Sequence, residues 1–175
     1  MFNKINFLFV TLFGIGKIGK IPGSIASLTT TIFLFFLLHI VNVSANIVLI
    51  FVIIIFFISL YSVNIFIKDL DNKDPKEVVI DEFIGQSIPI CLYEIAHEGP
   101  KETDQVLTFY FIMFILFRIF DIIKPYPVSY YDKNFKNSFG VIMDDVCAGL
   151  YVVAVLVLYM AITSWKNSLK NWLKY

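Results

Sequence analysis

Residues 47–67 form a stretch of 21 positions without one Asp, Glu, Lys, Arg or His. As an α-helix rising 1.5 Å per residue it would reach about 30 Å, the thickness of a bilayer's hydrocarbon core. Lipid offers no hydrogen bonds, so such a segment must satisfy its backbone internally, and the helix is the solution open to a single segment. The rest of the chain agrees: of its 175 residues 58% are hydrophobic and only 16% charged, and its mean hydropathy is +0.79. A soluble globular domain is far less apolar. An all-α, polytopic membrane protein is expected, folded as a single domain over residues 1–175, with no internal repeat or low-complexity linker. The balanced formal charge and the lack of a basic-aromatic patch argue against nucleic acid as a partner and favour the bilayer.

About five membrane segments are expected. Residues 5–13 are apolar but too short to cross, so they should lie at the interface or re-enter. With Lys4 ahead of them they imitate a signal peptide, but no small-x-small cleavage site follows, so the segment is expected to be retained. Gly14-Ile15-Gly16-Lys17-Ile18-Gly19-Lys20 should break any helix. Ser24, after Pro22-Gly23, is a natural N-cap for a first span over 24–41, whose Thr29, Thr30 and Thr31 can hydrogen-bond back to the helix or across to neighbours. The second span is 47–67. Residues 68–77 form a mixed-charge loop whose Asp69, Asp71 and Asp74 are read as solvated.

A third segment, 83–96, is short and interrupted by Pro89, which should kink it. A fourth runs over 106–123 and is stopped by Pro125 and Pro127. A loop with Asp132, Lys133 and Lys136 leads to a fifth over 141–163. In the tail, Trp165, Leu169, Trp172 and Leu173 oppose Lys166, Lys170 and Lys174, the pattern of an amphipathic helix lying on a membrane. Cys91 and Cys147 lie inside apolar segments and are read as core fillers.

Charged side chains in such a chain are expensive and therefore informative. With a cytoplasmic N-terminus and five crossings, most lysines and Arg118 fall inside, as the positive-inside tendency requires, the tail excepted. Asp81, Glu82, Asp121, Asp144 and Asp145 then share one membrane level. Five facing carboxylates repel one another unless cations intervene, and an all-oxygen donor set suits Mg²⁺. Asp121 and Lys124, three apart, are expected on one helix face, so that the acid can hold metal while the lysine reaches an anion. Lys17, Lys20, Gly23 and Ser24, at a glycine-rich approach to a helix start, form a candidate phosphate cradle.

Four pieces, in order, carry a family resemblance: Ile21-Pro22-Gly23-Ser24-Ile25-Ala26-Ser27-Leu28; Asp81-Glu82-Phe83-Ile84-Gly85; Phe117-Arg118-Ile119-Phe120-Asp121-Ile122-Ile123-Lys124-Pro125-Tyr126-Pro127; and Met143-Asp144-Asp145-Val146-Cys147-Ala148-Gly149. Together they resemble the phosphatidylglycerophosphatase A family. The resemblance implies a lipid phosphatase that converts phosphatidylglycerophosphate to phosphatidylglycerol, in a bacterial inner membrane, with its site on the cytoplasmic face. Asp81, Glu82, Asp121, Asp144 and Asp145 would position Mg²⁺, which neutralises the phosphate and acidifies an attacking water. Lys124, helped by Arg118, would stabilise the phosphoryl oxygens. Water and an aspartate are both open as nucleophile. Lipid phosphatases built on two histidines are disfavoured, since His39 and His97 are isolated and read as solvated. The alternative, a transporter with an acidic cation site, would want its acids near the bilayer midplane rather than at one edge.

Overall fold

The computed structural model describes residues 2–172 apart from 69, 71, 73, 74, 98, 100 and 101, with side chains described from Lys4 to Trp165. The described residues are all helical or irregular, without a strand. The helices are α1 (Phe2–Val10), α2 (Pro22–Phe35, with a wider turn over Phe36–Ile40), α3 (Ala45–Ile67), α4 (Ile80–Ala96), α5 (Thr103–Ile123), α6 (Val128–Asn134) and α7 (Ser138–Trp172). Four are long and apolar enough to cross a membrane, over Pro22–Ile40, Ala45–Ile67, Thr103–Ile123 and Ser138–Trp165. Their outer faces are apolar and bare, as Ile50, Phe51, Ile54, Phe57 and Ile58 illustrate on α3. On a soluble monomer so wide a patch would be a liability, and against lipid it is required. The protein is an integral membrane protein.

The third expected segment is α4, 17 residues long and thus about 25 Å from end to end, short of a bilayer core. It is nonetheless the centre of the bundle, packed against α7, α3, α2 and α5. A helix sheathed by other helices need not be uniformly apolar, which is how α4 carries Asp81, Gln86 and Ser87 buried. It runs the length of the bundle: Asp81 lies near the start of α2 and the end of α5, while Glu94 meets His39 at the opposite end. Pro89 sits within it without ending it.

Several local expectations are corrected. Ser24 is not the N-cap: α2 starts at Pro22, with Ile21 before it and no side-chain cap, because proline's fixed φ and missing N–H suit the first helical position. Of the two courses open to the threonines they take the one within the helix, each donating its hydroxyl four residues back, Thr29 to Ile25 O, Thr30 to Ala26 O and Thr31 to Ser27 O. The loop after the prolines contains a further helix, α6. The tail is no separate helix, since the backbone continues unbroken from α7 to Trp172. The side chains from Lys166 onward, and with them the expected amphipathic pattern, lie outside the described residues, as do Asp69, Asp71 and Asp74.

His39 and His97 are not isolated solvated groups. His39 Nε2 is 3.1 Å from Glu94 Oε1, which also accepts from the Tyr110 hydroxyl at 3.1 Å. His97 Nδ1 is 3.0 Å from Tyr93 O. The N-terminal helix packs on α3, where Asn6 Nδ2 donates to Ser62 O at 3.0 Å, and Val10 O accepts from Val79 N–H at 3.0 Å just before α4. That bond ties the approach to Asp81 to the first turnings of the chain.

Candidate active site

Two glycines set the position of the acids. A methyl on Gly149 of α7 would stand 2.4 Å from Gly85 O of α4, and one on Gly85 would stand 2.6 Å from Asp145 O. Only backbone without side chains can approach so closely. Asp81 and Glu82, one turn before Gly85, are thereby brought beside Asp145, one turn before Gly149. One carboxylate oxygen from each of Asp81, Glu82 and Asp145 lies within 4.8 Å of the others. Asp81 and Asp145 are buried, at 7% and 3% exposure.

A third close approach comes from α2. A Cβ on Gly23 would stand 2.1 Å from Glu82 Oε1 and 3.3 Å from Arg118 Nη1. Gly23 therefore lets the first turn of α2 reach the acids and the guanidinium together. The first intrahelical bond there is Ile25 N–H to Ile21 O, so the Gly23 and Ser24 amides belong to the free donors of a helix start.

The remaining two acids of the expected set are held by cations. Asp121 Oδ2 is 2.9 Å from Arg118 Nη1, which also donates to Ser27 Oγ at 3.3 Å. Asp144 Oδ2 accepts from Lys124 Nζ at 2.8 Å, and Asp132 Oδ1 of α6 accepts from the same nitrogen at 2.5 Å. Lys124 is not on the helix face of Asp121 as expected, because α5 ends at Ile123 and Lys124 takes a left-handed conformation, φ +48°. This turns its side chain towards α6 and α7. Burial pulls the Lys124 pKa down, but the Asp144 and Asp132 carboxylates outweigh it and hold the ammonium above the ordinary lysine value.

These groups line one cleft of about 420 Å³. Lys20, Gly23, Ser24, Asp81, Glu82, Arg118, Asp121, Lys124, Asp144 and Asp145 all border it. Lys17 is the exception among the expected residues, since its Nζ lies 4.5 Å from the centroid of the Phe7 ring, a cation-π contact on α1. Asn72 and Lys76 border the cleft without having been singled out in the sequence. Asp132 was also missed: its setting, beside Lys133 and near Lys136, resembled a self-compensated surface loop.

The cluster fits a hard divalent cation. Its donors are all carboxylate oxygens, it sits where repulsion among three acids needs a positive charge, and Glu82 Oε2 is buried without a hydrogen-bond partner. Lys20, Arg118 and Lys124 on the same cleft suit an anion, so it can receive a phosphate beside a cation.

Comparison with known proteins gives a consistent result. A relative from Haemophilus influenzae named phosphatidylglycerophosphatase A is 35% identical over 165 residues, 94% of this chain and 92% of the relative. One from Escherichia coli with the same name is 32% identical over 98 residues, 56% of this chain and 51% of that protein. A Bacteroides thetaiotaomicron protein named putative phosphatidylinositol-3-phosphatase is 41% identical over 80 residues, 46% of this chain and 45% of that one. No solved structure matches significantly. The family profile described as Phosphatidylglycerophosphatase A matches residues 8–160, and the chain belongs to that family.

Proposed function

We propose that this protein is a Mg²⁺-dependent lipid phosphatase that hydrolyses the terminal phosphomonoester of phosphatidylglycerophosphate to phosphatidylglycerol and phosphate. The observation that carries the reading is the meeting of the Asp81, Glu82 and Asp145 oxygens, within 4.8 Å of one another, in a cleft shared with Lys20, Arg118 and Lys124. The names of the Haemophilus and Escherichia relatives support the same substrate.

Asp81, Glu82 and Asp145 would hold the ion. When bound, Mg²⁺ supplies positive charge to the phosphate oxygens and acidifies an attacking water. Arg118 and Lys124 bind the phosphoryl group in the same cleft and steady the charge that builds on it. Their own carboxylates, Asp121 and Asp144, aim them, so that both cations are ordered before substrate arrives. The amides of Gly23 and Ser24 add donors at the positive end of α2. Lipid-facing helices on every side keep the glycerol backbone and acyl chains in the bilayer while the headgroup enters the cleft. The lysines at this end of the bundle, including Lys20, Lys76, Lys124, Lys133 and Lys136, favour the cytoplasmic face of a bacterial inner membrane.

The test is phosphate release from phosphatidylglycerophosphate by purified protein in detergent, with Mg²⁺ or with chelator. Release only with Mg²⁺, lost in Asp145→Asn, is the expected result. Full release in chelator would remove the metal from the reading, and no release from this lipid would remove the substrate.

A further inference from the structure

Gln86 lies one turn beyond Glu82 on α4, with no exposed surface, and neither its carboxamide oxygen nor its nitrogen has a hydrogen-bond partner. Packing alone does not call for it. A buried amide with both ends unpaired weakens a protein interior, and leucine or methionine would fill the same space without that cost. The complementary defect lies on the adjacent turn, where Glu82 Oε2 is also buried and unpaired. One group has an N–H to give and the other a lone pair to receive it. Residues four apart share a helix face, and Cα–Cβ bonds lean towards the helix N-terminus, so Gln86 projects back towards the level of Glu82. Glu82 Oε1, by contrast, already lies against the α2 backbone at Gly23.

We propose that Gln86 is the positioning residue of Glu82: in the cation-loaded site its amide N–H donates to Oε2 and fixes the carboxylate's orientation at the ion. Hydrogen bonds of this kind orient metal-binding carboxylates, and their loss weakens metal affinity roughly 10–100-fold. The inference rests on the metal reading given above. It assigns Gln86 a role through Glu82, not contact with substrate.

The test is Mn²⁺ binding, followed by electron paramagnetic resonance, on wild type, Gln86→Leu and the near-isosteric Gln86→Met, each with a melting curve in detergent. Expected are melting temperatures at or above wild type, because an unpaired amide has been removed, together with Mn²⁺ affinity lower by roughly 10–100-fold. The phosphatase rate at limiting metal should fall in parallel and recover at saturating metal. Wild-type affinity in folded Gln86→Leu or Gln86→Met overturns the proposal. So does loss of Mn²⁺ binding only where the melting transition is also lost, since the role would then be structural. Absence of Mn²⁺ binding in wild type overturns the metal reading itself, and the proposal with it.

Discussion

The carbonyl oxygen of Gly85 rests against the α-carbon of Gly149, so closely that a methyl there would stand 2.4 Å away. Pro89, four residues on, has no N–H to offer that carbonyl. The bare Gly149 backbone covers it instead, with no room for a side chain between them. Gly149→Ala must separate α4 from α7. The expected cost is about 1–3 kcal/mol, as for other overpacked cores, visible as a lower melting temperature in detergent. Activity should fall further than stability, because Asp81 and Glu82 move away from Asp145. Undiminished turnover by folded Gly149→Ala would break this link between crossing and site.

Gly23 should behave differently. Its missing Cβ leaves room for the end of the Glu82 side chain, 2.1 Å from where a methyl would lie. In Gly23→Ala a carboxylate must move, but no helix need shift. The melting temperature should change little while kcat/KM falls about 100-fold, the loss that a displacement of about 1 Å at a reacting group can cause. Equal losses in melting temperature and rate would instead place the methyl against the fold.

The acids were legible in the sequence because charge is conspicuous in an apolar chain, and α4 was legible only through them. By hydropathy it is a poor span, interrupted by Pro89, and that it crosses follows only from the need to put Asp81 and Asp121 on one membrane face; its place at the bundle centre was not legible. What stayed hidden depends on tertiary contact. α6 is seven residues long, too short to be stable alone, and is held by packing on α7 and by the rings of Tyr130, Tyr131, Phe135 and Phe139. Asp132 reached Lys124 only with that helix. Lys17 and Lys20 look alike in a glycine-rich stretch, and the position of Phe7 on α1 is what separates them. The His39–Glu94 pair joins residues 55 apart in sequence, a distance no local pattern spans.

Neutralising the acids should uncouple activity from stability. Asp81→Asn and Asp145→Asn each remove a charge from a cluster that repels itself. Both variants are expected to melt at or above wild type in chelator and to lose the stabilisation that Mg²⁺ gives wild type, which grows with free metal over its Kd. Turnover should drop by orders of magnitude, far beyond the roughly 0–1 kcal/mol that a surface ion pair contributes. A Mg²⁺-dependent rise in melting temperature that survives in Asp145→Asn would exclude Asp145 from the metal site.

The alkaline behaviour should belong to Lys124. Its left-handed backbone is costly for a residue with a Cβ, about 1–2 kcal/mol, and the two carboxylates on its Nζ hold it there. They also keep its pKa above the ordinary lysine value, against the downward pull of burial. The ordinary value is about 10.4. A lysine whose pKa is raised on folding contributes stability that is fully present below the unfolded value and lost as pH rises through the folded one. Charge on Lys124 is therefore constant through neutrality, and its loss belongs to strongly alkaline solution. Asp132→Asn removes one of the two carboxylates and lowers the folded pKa. The phosphatase rate, which follows the folded pKa, should then begin to fall at a lower pH than in wild type. The melting temperature should be lower at neutrality and lose less on the alkaline side, because the contribution of the raised pKa is smaller. Neutral-pH activity is largely kept because Asp144 still aims the ammonium. Profiles of rate and melting temperature from neutrality to about pH 11, just past the ordinary lysine range, would read this directly. An alkaline limb that Asp132→Asn leaves in place would assign it to another group.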